Sequence, residues 1–249
     1  MAEWDNNAMR AGSATQDYAI DEGLRSYMLR VYNYMALGLA LTGGIAFAVA
    51  HTPSLMSLFF AVNPSSGAVG PTILGMIAMF APLGFVLALS FGIQRMSAQT
   101  AQLLFWVYAG VMGVSLSLIF AIYTGSSIAR TFFVTAGAFG ALSLYGYTTK
   151  RDLSAMGSFL FIGLIGIILA SVVNIFLHSS GLDFAISVIG VLIFAGLTAY
   201  DTQRIKGMYS SSMDGALATK TAVMGALSLY LDFINMFMFL LRFMGQSRN

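Results

Sequence analysis

The sequence predicts an all-α membrane protein, a seven-transmembrane helical bundle. Hydrophobic residues make up 58% of the 249 positions and charged residues only 9%, whereas soluble domains carry about 25% charged residues. A transmembrane helix needs about 20 mostly apolar residues. The long runs that contain no formal charge cover residues 31–94, 96–129, 131–149, 153–182 and 184–200.

The first 24 residues differ from the rest of the chain, because they are polar and of mixed charge. A secretory signal peptide begins with a basic region that leads directly into an apolar core, and this segment has neither feature. We therefore predict a polar cytosolic N-terminal tail over residues 1–24 and a single seven-helix transmembrane domain over residues 25–249.

Seven apolar segments follow this tail. Pro82 falls inside the second of them, where it removes a helical hydrogen bond, so a neighbouring helix must satisfy the carbonyl group left free. The predicted spans cover residues 29–50, 71–93, 101–123, 128–149, 156–178, 183–205 and 221–243.

Basic residues predict the orientation of the bundle, because loops on the cytosolic side carry an excess of Lys and Arg. With the N-terminus in the cytosol, nine Lys and Arg residues fall on the cytosolic side and three on the other side. Seven spans place the C-terminus opposite the N-terminus, unless the last segment is re-entrant. The lipid bilayer is the first predicted partner.

Asp232 is the residue that most needs an explanation. It lies near the middle of the last apolar segment, with no other formal charge between residues 221 and 241. A charge at the centre of a bilayer costs about 2.5–3.5 kcal/mol even on the mildest scale, so such residues usually face a partner, a watery cavity or a proton pathway.

Asp201 and Asp183 are the other acidic residues near spans. Asp183 follows a Ser-Ser-Gly turn, where a carboxylate caps free N–H groups at a helix start. Asp201 is either a boundary carboxylate paired with Arg204 at i+3, or, if the helix continues to Tyr209, a residue about 12 Å deep. In the second case its depth is close to that of Asp232, about 16 Å from residue 221.

If the two aspartates meet, their chemistry is constrained. Two carboxylates in a low-dielectric site cannot both ionise cheaply, so they share a proton and form a pH-dependent latch. When deprotonated they offer hard oxygens to a transient Ca²⁺ ion, with no resident cofactor. Asn235 and Ser228 lie on the same face of the helix as Asp232. They are predicted either to support this site or to form ordinary hydrogen bonds between helices.

A cation is expected to balance these charges. Arg95 is the only formally charged residue between Arg30 and Arg130, and it lies at the cytosolic end of the second span, from which it could reach Asp201. It is equally well explained as an arginine that sets the topology. Arg204 is the second candidate for a supporting role.

Two segments resemble a known family. The stretches AYDTQRIKGMY (199–209) and SLYLDFINMFMFLLRFMG (228–245) are similar, in this order, to the C-terminal signature of the Bax inhibitor-1 (transmembrane Bax inhibitor motif) family. The resemblance implies seven helices with the last one central, and a pH-sensitive calcium leak activity. It further implies that Asp201 and Asp232 form the hydrogen-bonded, pH-sensing pair, with Arg95 as its latch. Some relatives carry an acidic residue in the second helix, but this chain has none between residues 31 and 94, which argues against an additional cation site there. The short loops resemble those of the bacterial branch of the family, which implies a protein of a bacterial inner (plasma) membrane.

Two other classes of function remain open. A non-conducting membrane regulator would bind other membrane proteins, such as a protease or a translocase. An intramembrane aspartyl protease would also use two aspartates, one in a pair such as Tyr200-Asp201, but the chain lacks the Gly-x-Gly-Asp and Pro-Ala-Leu motifs. A serine protease of the rhomboid type fits less well, because the two histidines lie at span ends. The sequence therefore predicts a protein that is not an enzyme. The absence of cysteine and the net charge of +2 argue against thiolate chemistry and nucleic-acid binding.

Overall fold

The structure is a computed structural model, and it describes residues 2–62 and 69–248, with side chains from residue 22 onward apart from those of residues 62 and 69. The helices and strands are, in chain order, α1 (Ala2–His51), α2 (Pro53–Phe59), β1 (Phe60–Val62), β2 (Val69–Pro71), α3 (Ile73–Gly92), α4 (Ala98–Leu116), α5 (Ile119–Ile122), α6 (Gly125–Thr148), α7 (Ser154–Leu177), α8 (Ser180–Gly207) and α9 (Gly215–Met244).

Within the described residues, seven segments are long and apolar enough to cross a membrane, which confirms the predicted fold class. They are α3, α6, α7, α8, α9, the part of α1 from Glu22 onward, and α4 together with α5. The helix α1 continues back to Ala2 through the predicted tail, whereas Met1 and the side chains of residues 2–21 lie outside the described part. The third span was predicted as one helix, but the backbone turns at Ser117 and Leu118 and divides it into α4 and α5.

The chain alternates between two ends of the bundle. We call the end at which α1 and α9 finish the upper end, and the end at which α8 finishes and α9 begins the lower end. The sequence did not predict the short helix α2 or the two-stranded hairpin at the upper end, in which Phe60 of β1 pairs antiparallel with Pro71 of β2. This hairpin fills the connection between the first two spans.

Pro82 shows how the bundle accommodates a proline within a span. Pro82 has no N–H group, so it cannot donate to the carbonyl oxygen of Ala78 four residues earlier. The hydroxyl group of Ser115, on the neighbouring helix α4, donates a hydrogen bond to that oxygen instead. The predicted compensation by a neighbouring helix is therefore confirmed, and it fixes how α3 and α4 pack.

The last helix, α9, is the centre of the bundle. It packs against α1, α4, α6 and α8, and 61% of its most apolar stretch is buried, compared with 11–44% in the other spans. Its core residues include Tyr230, Met236 and Leu241, none of which is exposed. A charged residue in the middle of α9, such as Asp232, is therefore surrounded mainly by neighbouring helices.

Side chains from α8 and α9 hold two connections at the lower end. Gln203 bonds to both ends of the α6–α7 connection, donating to the carbonyl oxygen of Arg151 at 2.8 Å and accepting from the N–H group of Leu153 at 2.9 Å. The ammonium group of Lys220 lies 3.2 Å from the carbonyl oxygen of Met96, in the α3–α4 connection. The two helices and these connections thus form one linked unit.

Candidate functional site

The helices α8 and α9 form the hairpin that carries both aspartates, and they pack closely over much of their length. Two glycines permit this approach. A Cβ atom at Gly190 would lie 2.7 Å from the ring of Phe239, and one at Gly225 would lie 3.0 Å from the side chain of Ile205. The predicted adjacency of the two helices is confirmed.

Asp232 is a buried carboxylate, and one of its two oxygens has no hydrogen-bond partner among the described residues. Its side chain lies on the central helix and the residue is 5% exposed. Within the described residues, its Oδ2 atom has no hydrogen-bond donor. Buried polar atoms in proteins are nearly always hydrogen-bonded, so an exception calls for a proton, an ion or a water at that position.

Asp201 has a cation beside it. The guanidinium group of Arg204 lies 3.2 Å from Oδ1 of Asp201. The same group donates a hydrogen bond to the hydroxyl oxygen of Ser228 on α9, also at 3.2 Å. Because Ser228 lies one helical turn below Asp232, Arg204 connects the Asp201 side of the hairpin to the Asp232 side.

Both aspartates line the same cavity. It has a volume of about 970 Å³ and lies between α7 on one side and α8 and α9 on the other. Its α7 wall is apolar and exposed at Phe161 and Ile168. We call this cavity the aspartate groove, and its polar residues at α8 and α9 are Tyr200, Asp201, Arg204, Ser228, Asp232 and Asn235.

The residues predicted to support the site lie in the groove. Asn235 donates its amide N–H to the carbonyl oxygen of Leu231 on its own helix at 2.8 Å, which leaves its Oδ1 atom available as an acceptor. Ser228 accepts from Arg204. Gly157 of α7 makes room for Tyr200, because a Cβ atom there would lie 2.5 Å from the tyrosine ring.

Arg95 lies elsewhere. It is exposed in the α3–α4 connection, and among the described residues the only cation within ion-pair distance of Asp201 is Arg204. The expected latch between Arg95 and Asp201 is therefore not formed in this structure. Arg204 takes that place because it is three residues along the same helix, where no loop has to be ordered to bring the charges together.

The expectation for Asp183 also needs correction. The N-cap of α8 is Ser179, whose hydroxyl oxygen accepts a hydrogen bond from the N–H group of Leu182 at 3.3 Å. Asp183 lies in the first turn of the helix, where its charge is favourable near the positive helix terminus. The preceding serine is the better cap because its short side chain reaches the free N–H group.

The described residues contain no group of three or more His, Cys, Asp or Glu side chains that could hold a metal ion. Calcium takes about six to eight oxygen ligands, and the groove offers two carboxylates, one amide oxygen and the hydroxyl groups of Ser158, Ser171, Tyr200 and Ser228. Only two of these residues carry a formal negative charge, so this donor set does not form a closed calcium site.

The sequence missed a polar chain that links three helices near this site. The hydroxyl group of Tyr32 on α1 lies 2.6 Å from that of Ser143 on α6, which lies 2.9 Å from that of Thr202 on α8. Thr202 in turn donates to the carbonyl oxygen of Thr198. The spacing of Thr198 and Thr202 by four residues was the only signal available.

The fold and the groove define a multi-pass helical membrane protein with a carboxylate-containing cavity at its central hairpin. Comparison with known proteins assigns its family. The family model described as "Inhibitor of apoptosis-promoting Bax1" matches residues 24–249, and the chain belongs to this family, the Bax inhibitor-1 family. The resemblance seen in the sequence is confirmed.

Several bacterial proteins are similar along nearly their whole length. The uncharacterized protein RP147 of Rickettsia prowazekii (strain Madrid E) is 52% identical over 237 residues, which cover 95% of this chain and 96% of that protein. The inner membrane protein YbhL of Escherichia coli (strain K12) is 48% identical over 228 residues, covering 91% and 94%. Together with the seven apolar helices, these matches support a multi-pass protein of a bacterial inner membrane.

Proposed function

We propose that this protein is a pH-sensitive calcium (cation) leak channel of the Bax inhibitor-1 type, gated by protonation of Asp201 and Asp232. The observation that carries the proposal is the unpartnered Oδ2 atom of Asp232, buried in the same groove as Asp201. A buried carboxylate oxygen that no protein donor satisfies is suited to holding a proton or meeting a cation.

The charges in the groove make its state depend on pH. Two carboxylates and the guanidinium group of Arg204 leave one excess negative charge, which a single proton cancels. With that proton bound, Asp232 is neutral and compatible with burial. When the proton leaves, the groove carries a net negative charge and attracts a cation. Protonation and cation entry therefore compete for the same oxygens.

Calcium is the ion that the donor atoms favour. Carboxylate, amide and hydroxyl oxygens are hard ligands, and Asn235 and Ser228 add theirs to those of the two aspartates. The family resemblance implies that Arg95 is the latch of the aspartate pair. In this proposal, Arg95 is a second cation that engages Asp201 in another state of the channel.

The lower end of the bundle is proposed to face the cytosol. Lys206 and Lys220 lie at this end, as do Arg25 and Arg30 at the start of the first span. Such an excess of basic residues favours the cytosolic side, which puts the N-terminus in the cytosol. Arg204, with 41% of its side chain exposed, is then at the entrance of the aspartate groove from that side.

The test is calcium flux into liposomes that contain the purified full-length chain, measured between about pH 5 and pH 8 so that the macroscopic titration of a coupled pair can be followed. Asp201→Asn and Asp232→Asn are expected to flatten the dependence of flux on pH. Asp183→Asn is the matched control, because it removes an exposed carboxylate outside the groove; it is expected to behave as the wild type. If flux depends on pH equally in the wild type and in all three variants, the paired-aspartate mechanism is wrong.

The same measurement separates the main alternative, a non-conducting regulator that binds other membrane proteins. That function predicts no flux in liposomes at any pH, together with membrane-protein partners that are still captured by the Asp232→Asn variant. A peptide-cleaving activity of the purified protein that is lost in both aspartate variants would instead indicate an aspartyl protease.

A further inference from the structure

A second cavity lies away from the aspartate groove, between the upper halves of α1 and α6. It has a volume of about 870 Å³, and α9 forms its floor with Phe233, Ile234 and Phe237. We call it the α1–α6 cavity. Its size falls within the range of about 300–1,000 Å³ that is usual for ligand pockets, and no part of the proposed cation path uses it.

The cavity exists because α1 and α6 are joined at one end only. In their lower halves, the hydroxyl groups of Tyr32 and Ser143 lie 2.6 Å apart. In their upper halves, small residues face the gap, and a Cβ atom at Gly43, Gly44 or Gly125 would meet nothing within 4 Å. These glycines therefore leave open space and do not serve a close helix contact.

The depth of the cavity matches one leaflet of a bilayer. Along α1 it extends from His51 to Leu39, twelve residues or about 18 Å at the helical rise of 1.5 Å per residue. Along α6 it extends from Gly125 to Phe133, or about 12 Å. Half of the hydrocarbon core of a bilayer is about 15 Å thick, so the cavity has the length of one acyl chain.

The rim of the cavity at the upper end is cationic. Arg248 donates from Nη1 to the carbonyl oxygen of Phe120 at 2.9 Å, and its backbone N–H bonds to Ile122 at 2.8 Å. Within the part of the chain that the structure describes, no carboxylate lies within ion-pair distance of Arg248. An arginine has five N–H donors, so this one is held in place by the backbone while most of its donors remain available.

The start of α6 also favours an anion at the same rim. Gly125, the first residue of α6, lines the cavity, and the side chain of the N-cap residue Thr124 accepts no hydrogen bond from the backbone N–H groups of the first turn. Free N–H groups at a helix start favour phosphate. His51 also lies at the rim, its Nδ1 2.9 Å from the carbonyl oxygen of Phe47. Apart from His51 and Arg248, the lining residues carry no titratable side chain.

We infer that the α1–α6 cavity binds one acyl chain of an anionic phospholipid from the leaflet at the upper end, with the lipid phosphate at Arg248 and the first turn of α6. Lipid tails are as apolar as the cavity wall, so burial alone gives no preference for this place over the surrounding bilayer. The fit of the chain and the charge at the rim supply the preference, and the charge selects the headgroup.

The experiment is native mass spectrometry of the full-length chain in detergent, with phosphatidylglycerol and phosphatidylethanolamine of identical acyl chains added in competition. The wild type is expected to retain about fivefold more phosphatidylglycerol than phosphatidylethanolamine. This ratio corresponds to the usual strength with which a helix N-terminus and an arginine attract an anion at a partly exposed site. Arg248→Gln is expected to remove this selectivity. Arg242→Gln, at the same end of the bundle but outside the cavity, is the matched control and should leave it intact.

Filling the cavity tests the position of the chain. Gly44→Leu from α1 and Ala129→Leu from α6 project into the open space, and either is expected to lower retention of both lipids severalfold. Gly84→Leu on α3, which also has open space but lies outside the cavity, should have no effect. Equal retention by the wild type and both filling variants, or equal selectivity in Arg248→Gln and Arg242→Gln, would overturn the proposal.

Discussion

The hydroxyl group of Tyr230 on α9 donates a hydrogen bond to the hydroxyl oxygen of Thr42 on α1, at 2.6 Å. The direction follows from the third partner, because Thr42 uses its single proton to donate to the carbonyl oxygen of Ala109 on α4 at 2.7 Å. All three groups are buried. One pair of hydroxyl groups thus joins the central helix to two of its neighbours.

Tyr230→Phe is expected to destabilise the bundle by about 0.6–1 kcal/mol, the usual contribution of one buried hydrogen bond between membrane helices. Tyr108→Phe is the matched control, because Tyr108 packs against Tyr230 with ring centroids 5.3 Å apart but its buried hydroxyl group has no hydrogen-bond partner among the described residues. Its removal should be neutral or stabilising. Thermal unfolding in detergent measures both, and an equal loss of Tm in the two variants would contradict the assignment.

Gly146→Ala is expected to lower stability by about 2 kcal/mol or more, since a Cβ atom at this position of α6 would overlap the backbone of α8 at Ala199. A drop in Tm of about 5 °C corresponds to this for a chain of this size. Gly140→Ala on the same helix has nothing within 4 Å and should stabilise by about 0.5–1 kcal/mol through helix propensity. If both substitutions shift Tm in the same direction, the close approach of α6 and α8 at Gly146 is wrong.

Arg204→Gln is expected to alter the pH profile of calcium flux, because it removes the guanidinium group that pairs with Asp201 and bonds to Ser228. Without this charge, two carboxylates remain with no cation beside them, so protons are held more tightly and the profile should shift toward higher pH. Arg204→Lys keeps the charge and should restore most of the profile. Liposome flux over the same pH range provides the measurement, and an unshifted profile in Arg204→Gln would rule out a gating role for the arginine.

We expect the stability of the fold to depend on pH through Asp152, which lies outside the membrane-spanning segments. Hydrogen bonds from the side chain of Ser154 and from its backbone N–H group, which lies 2.9 Å from Oδ1, lower the pKa of this carboxyl group in the folded protein. A lowered folded-state pKa stabilises the fold above the unfolded-state pKa, and this stabilisation is lost as pH falls through the folded-state value. The Tm of the Asp152→Asn variant should therefore be lower than that of the wild type at neutral pH, and this difference should become smaller as the solution is acidified. A constant difference at all pH values would show that Asp152 has no such role.

The spans and the residues that carry the site could be predicted from the sequence because they depend on local composition. Twenty apolar residues suffice to mark a helix such as α7, and the short connection between α8 and α9 predicted their contact. Asp232 stood out because a charge in an apolar stretch is costly wherever the helix packs.

The partners of those residues could be predicted only as alternatives, of which the structure shows the ion pair between Asp201 and Arg204. Whether Arg95 or Arg204 pairs with Asp201 depends on the distance between helix ends, which the hydropathy pattern does not contain. The bond between Tyr230 and Thr42 depends on which faces of α9 and α1 meet. The break at Ser117 and the pairing of β1 with β2 depend on packing at the upper end, so the periodicity of the sequence did not predict them.

The two ends of α9 are held by different kinds of contact. At the upper end, Gln246 and Arg248 form backbone hydrogen bonds with Thr124 and Ile122. At the lower end, the side chain of Lys220 reaches the carbonyl oxygen of Met96 in the α3–α4 connection. The turn that bears Arg95 is therefore tied to the central helix through the side chain of Lys220, so a substitution of this lysine would release the turn without breaking a main-chain hydrogen bond of α9.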